Sequence, residues 1–111
     1  MRTALGKQGE ALAVQFLKQK KYEIIATNFA THVGEIDIVA KQKNVLVFVE
    51  VKTRTSTQFG LPREAVTPYK QNKIRLTAQQ FLQKMGNLNQ AVRFDVIDIL
   101  NNQITHIENA F

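Results

Sequence analysis

Apolar residues recur at helical spacing near the start of the chain, at Leu5, Leu12, Ala13, Phe16 and Leu17 with Gly9 among them, and lysines gather just beyond. The pattern predicts an amphipathic helix over residues 3–20, with the lysines suited to its C-terminal end. Shorter β-branched runs at 22–28, 34–40 and 45–53 predict three strands, and the polar turn at 41–44 joins the last two in an antiparallel meander. Residues 54–67 shift to Ser, Thr, Gly and Pro without apolar periodicity, which predicts a loop. Pro68 suits a first helical position. Ile74, Ala78, Phe81, Leu82 and Met85 then make one stripe, with Lys70, Lys73, Arg75 and Lys84 off it, and Gly86 marks the stop of this second helix. Two more strands are predicted at 92–100 and 103–108, separated by Asn101-Asn102. The order αβββαββ predicts an α/β (α+β) fold in which helices flank a central mixed sheet.

Charges interrupt this pattern where they are least welcome. Strand side chains alternate, so Glu50 and Lys52 share a face with Leu46 and Phe48, while Val45, Val47, Val49 and Val51 line the other. Both faces read as buried, and an unpaired charge there costs several kcal/mol, roughly. Glu50, Lys52 and the upstream Asp37 are therefore expected to be paired, hydrated in a cleft or bound to a metal. Asp37 and Glu50 lie on adjacent strands across a short turn, so their side chains can converge. Glu10, at the margin of the first helix's buried stripe, is expected to point towards the sheet. Carboxylates with the Val51 carbonyl and phosphate oxygens would suit the octahedral shell of Mg2+, and Lys52 beside them could orient a water and stabilise developing charge. The plainer alternative is an ion pair of Lys52 with Glu50 and Asp37 that carries no chemistry.

With 111 residues the chain is expected to form one domain that buries roughly two thirds of its unfolded surface. It has no cysteine, so disulfide frameworks and thiolate metal sites are excluded and a hard cation, Mg2+ or Mn2+, is the expected ion. Neither a membrane span nor a signal peptide is visible, which places the chain in the cytoplasm as an expectation. Its net charge is +6; setting aside Glu10, Glu35, Asp37 and Glu50 leaves five acids against fifteen basic residues, a background of +10. Such a field favours a polyanion, nucleic acid before an acidic membrane.

Gly9-Glu10, Gly34-Glu35-Ile36-Asp37-Ile38-Val39-Ala40, Val47-Phe48-Val49-Glu50-Val51-Lys52-Thr53-Arg54, Lys70-Gln71-Asn72-Lys73-Ile74 and Arg93-Phe94-Asp95-Val96-Ile97 together resemble the bacterial YraN family. By similarity that family belongs to the PD-(D/E)XK nuclease superfamily, near the archaeal Holliday junction resolvases. The resemblance implies a restriction-endonuclease-like αβββαβ core with a short extra C-terminal strand. It also implies Mg2+- or Mn2+-dependent hydrolysis of phosphodiester bonds in DNA, at branched or recombining structures. Asp37 and Glu50 would be metal ligands, Lys52 the catalytic lysine and Glu10 a helix-borne acid completing the site. Ile36 stands where the superfamily signature has proline. Resolvases act as dimers, so the resemblance also allows a homodimer.

Other residues carry open expectations. Glu35 either supports Asp37 from the same strand face or faces solvent. Gln71 either touches the scissile region or simply closes the start of its helix. Arg54 and Arg63 flank the loop and either clamp phosphates or remain solvated. Lys70, Lys73 and Arg75, on the exposed side of the second helix, are the expected nucleic-acid contacts. Asp95 should pair with a lysine or arginine, and His32 and His106 read as structural. The competing functional reading is a nucleic-acid-binding or protein-interaction module that keeps the nuclease fold and turns nothing over.

Overall fold

A computed structural model describes residues 3–55 and 66–111. Helix α1 (Ala4–Gln19) starts where the extended Thr3 accepts the Gly6 N–H on its hydroxyl at 3.0 Å. It buries Gly9, Ala13 and Leu17 along one stripe. Lys21, at φ 71°, then turns the chain into strand β1 (Glu23–Ala30). Strands β2 (Glu35–Gln42) and β3 (Val45–Arg54) form a hairpin whose two-residue turn has Lys43 left-handed at φ 55°. Helix α2 (Pro68–Met85) is capped by the Thr67 hydroxyl, carries its proline in the first turn, and stops at Gly86 with φ 75°. Strands β4 (Ala91–Leu100) and β5 (Gln103–Ile107) meet at Asn101 and Asn102, both left-handed, as a tight hairpin requires. The predicted elements are all present. β1 and β2 each run about two residues further than their apolar patterns reach.

The five strands form one sheet in the order β1-β2-β3-β4-β5. β1, β2 and β3 are the expected antiparallel meander, and β5 runs antiparallel to β4. β4 lies parallel to β3 because α2 carries the chain back across the sheet, which makes the sheet mixed. α1 covers one face, where Ala13 and Leu17 pack with Tyr22, Ile38, Val47, Val49 and Ile97. α2 covers the other, with Ile74, Ala78 and Phe81 against Phe48 and Val96. β3 is thus buried from both sides, and each of its core side chains contributes about 1.5–3 kcal/mol. Among the described residues, no helix is long and apolar enough to cross a membrane.

The pairing of β2 with β3 stops short. The ladder between β2 and β3 runs from the Gln42 and Val45 pair to the Ile38 and Val49 pair, while both strands continue beyond it. Ile38 and Ala40 pack on the α1 side, yet Ile36 joins the α2-side core with Val39. A regular strand would put Ile36 with Ile38, so the alternation breaks at Asp37. The two strands fork there.

Candidate functional site

Asp37 sits in the fork. Its Oδ2 accepts the Val51 N–H at 2.8 Å, so the carboxylate replaces the backbone partner that β3 loses as β2 diverges. Glu50, only 8% exposed, is the last buried residue of β3 and shares a hydrogen bond with Asp37. Lys52 follows two residues later, half-buried. From the first turn of α2, Lys70 brings its Nζ to 3.0 Å from Glu50 Oε2. The contact is ionic rather than directional: that buried oxygen has no hydrogen-bond partner of proper geometry.

Two glycines let the helices come this close. A Cβ on Gly9 would collide with Thr53 Oγ1 and lie 3.1 Å from Thr53 Cβ, so α1 packs on the end of β3 only with glycine there. This brings the next residue, Glu10, to the fork. A Cβ on Gly34 would stand 3.0 Å from Thr77 Oγ1, where the start of β2 meets α2. Between the two contacts lies a cavity of about 310 Å3, lined by Thr3, Glu10, Asp37, Glu50, Lys52 and Lys70 among others. A second, also about 310 Å3, shares Asp37, Glu50 and Lys70 and continues past Glu35 and Lys73. The acid pair therefore lies at the middle of a groove open on two sides.

Electrostatics in the groove are strongly coupled. Burial pushes the Glu50 carboxyl up, but the hydrogen bond with Asp37 and the charge of Lys70 outweigh it, and its pKa falls below the ordinary value. Burial and the neighbouring Lys70 ammonium pull the Lys52 amine down, against the attraction of Glu50. Lys70 is raised: burial opposes its charge, but the contacts with Lys52 and Glu50 prevail. Of the two lysines, Lys52 is the easier to deprotonate.

These donors suit a hard cation. Asp37 and Glu50 offer oxygens, and Glu50 Oε2 is a buried acceptor with no directed donor, the feature a metal ion would satisfy. Among the described residues no three acid or histidine side chains gather into a closed metal cage. Glu10 lines the same cavity from α1 without completing such a group. Asp37 and Glu50 are the pair that would hold an ion, with the remaining positions left for water, Glu10 or substrate oxygens.

The other candidate residues fall in several places. Lys70, expected on the exposed side of α2, enters the site instead: side chains in a helix lean towards its N-terminus, and here that direction leads to Glu50. Lys73 and Glu35 stand on the rim of the groove. Arg75 points elsewhere, its guanidinium over the rings of Phe94 and Phe111 at 5.8 and 5.4 Å. Gln71 donates to the Val66 carbonyl at 2.9 Å and so secures the entry to α2, apart from the residues lining the groove. Arg54 directs Nε to Asp98 Oδ1 at 2.9 Å, a fixed ion pair on the sheet. Arg63 lies outside the described residues. Asp95 pairs with Arg93 as expected, His106 is the structural neighbour of that pair, and His32 is exposed.

Comparison with known proteins identifies a family. The family model for "Uncharacterised protein family UPF0102" matches residues 9–99, from the glycine that docks α1 to the end of β4. A UPF0102 protein of Caldicellulosiruptor saccharolyticus is 46% identical over 113 residues, covering 96% of each chain. One from Geobacter metallireducens is 48% identical over 97% of this chain and 92% of its own. Another, from Persephonella marina, is 45% identical over 96% of this chain and 91% of its own. The resemblance to the YraN family holds over nearly the full length, and the chain belongs to family UPF0102.

Proposed function

We propose that this protein is a metal-dependent nuclease that hydrolyses phosphodiester bonds in DNA, with branched structures as its preferred substrate. The observation that carries the reading is the fork itself: Asp37 and Glu50 side by side, Lys52 two residues on, and a groove running past them. When bound, Mg2+ or Mn2+ supplies polarisation of the phosphate and activation of water. The chain's own part is to hold and orient. Asp37 is held by the Val51 N–H, so its carboxylate keeps one direction. Lys52 orients the attacking water at Nζ, and its ammonium stabilises charge on the phosphoryl oxygens. In the reaction the water oxygen bonds to phosphorus and the bond to the leaving strand oxygen breaks. One water proton ends on that oxygen and the other passes to solvent. Lys73 on the rim and the exposed ring of Tyr69 beneath it offer a charge and a stacking face to the same strand.

The test incubates the protein with linear, single-stranded, flapped and four-way DNA in Mg2+, Mn2+ or chelator. Cutting should require metal and fall about 100- to 1000-fold in Lys52→Ala while the fold persists. Binding without cutting on every substrate would put the binding module in its place. A drop in melting temperature for Lys52→Ala with unchanged cutting would make Lys52 a structural ion-pair partner.

A further inference from the structure

Lys70 sets its ammonium against Glu50 Oε2, the place a cation shared by Asp37 and Glu50 would take. Two features make that ammonium displaceable. Its side chain is 44% exposed, against 7% for Glu50, so departure returns it to water at little cost. Its backbone is anchored separately, the Lys70 N–H donating to the Thr67 cap at 3.2 Å, so the stem can swing without moving α2. Charge then dictates what must accompany a metal. Counted as formal charges, the groove's four acids, Glu10, Glu35, Asp37 and Glu50, outnumber its three lysines, Lys52, Lys70 and Lys73, by one, so a divalent ion leaves one excess positive charge, which a backbone phosphate in the groove would offset. Lys70 lines both openings of that groove.

We propose that Lys70 is an exchangeable placeholder: it neutralises Glu50 in the metal-free protein, yields that position to the divalent ion, and moves to a phosphate of the bound nucleic acid. The inference rests on the nuclease reading above. Its consequence is cooperativity, because the lysine that nucleic acid draws away is the one competing with the metal. Linkage makes the effect reciprocal, each ligand raising the other's affinity by the same factor.

The experiment measures Mn2+ binding by calorimetry, with and without a nuclease-resistant phosphorothioate duplex, for wild type, Lys70→Met and Lys70→Gln. Wild type should bind Mn2+ about ten- to hundredfold tighter with the duplex than without it. Both variants should bind Mn2+ alone about tenfold tighter than wild type does, with most of the enhancement by duplex gone. If loss of the counter-charge on Glu50 leaves Lys70→Met too unstable to titrate, Lys70→Gln and the rise in its melting temperature with Mn2+ give the same comparison. Variants that bind Mn2+ no tighter than wild type, or keep the full enhancement by duplex, would overturn the placeholder and leave the metal site standing. No Mn2+ binding by any of the three would remove both.

Discussion

Asp95 and Glu50 are both buried acids with lowered pKa values, yet their surroundings differ in kind. Asp95 takes two hydrogen bonds from Arg93, at 2.9 Å each, one from the Asn109 N–H at 3.0 Å, and one with His106 Nε2 at 2.7 Å. Lys20 Nζ lies 2.9 Å from His106 Nδ1, and a charged ammonium can only donate, so Nδ1 accepts and the proton on Nε2 faces Asp95. Arg93 also donates to the Tyr22 hydroxyl at 2.7 Å, tying the network to the start of β1. Every donor here is directional, and the carboxylate is fixed. Glu50 has an acid beside it and a half-exposed lysine 3.0 Å from an oxygen that has no directional donor. The Asp95 network should therefore act on stability alone. Burial raises its carboxyl, but the bonds with His106 and Arg93 outweigh that and bring it below its ordinary 3.8. A lowered folded pKa means the stabilisation is complete above about 3.8 and is lost as the pH falls through the folded value. Asp95→Asn should cost about 2–3 kcal/mol at pH 7, because the half-buried Arg93 keeps only the more distant Glu108, 3.9 Å away, as counter-ion. Denaturation measured from pH 7 downwards should show the gap to wild type shrinking below about pH 4. A gap that stays constant with pH would mean that ionised Asp95 is not its source.

At the scale of elements, the site depends on how closely two helices approach one sheet. Gly9 and Gly34 act as spacers there, one for each helix. In Gly9→Ala the new methyl must displace Thr53 or lift α1 from β3, at a cost of about 1–3 kcal/mol, and Glu10 should retreat from the groove. Adding Thr53→Ala removes the colliding hydroxyl and should recover part of the loss, so a double-mutant cycle read by denaturation should show clear coupling. Additive effects would place the cost of Gly9→Ala outside this contact. Much of this arrangement was legible in the sequence. The alternation around Leu46, Phe48, Glu50 and Lys52 located the site, and Asn101-Asn102, Pro68 and Gly86 bounded their elements. The fork was not. Period-two reasoning puts Ile36 and Ile38 on one face, and nothing in two apolar residues signals where a ladder ends. Lys70 lies off the apolar stripe as the pattern required, but its destination depends on where the N-terminus of α2 meets the sheet. Arg54 read as a loop residue because its partner Asp98 lies on β4, brought near only by the parallel pairing of β3 with β4.

For the whole molecule, the nuclease proposal turns on which of the fifteen basic residues would face a nucleic acid. Between Glu64 and Asp95 the chain has no acid and five basic residues, Lys70, Lys73, Arg75, Lys84 and Arg93, a strongly one-signed stretch. The fold divides them. Arg93 is committed to Asp95, and Arg75 lies over Phe94 and Phe111 away from the groove. Lys52 and Lys70 line the groove and Lys73 stands on its rim, so on the proposed reading about three cations would meet the phosphates. Each phosphate neutralised on duplex DNA contributes about 0.9 to the fall of log affinity with log salt, which gives a slope of roughly −3. Counting every basic residue near α2 would predict a steeper one. Lys73→Ala should flatten the slope by about 1, whereas Arg75→Ala, with an equal loss of charge, should leave it nearly unchanged. Affinities for one duplex across a series of salt concentrations, for wild type and these two variants, make the comparison. If Arg75→Ala flattens the slope as much as Lys73→Ala does, the nucleic acid lies across the Phe94 side of α2, and the groove at the fork is not its path.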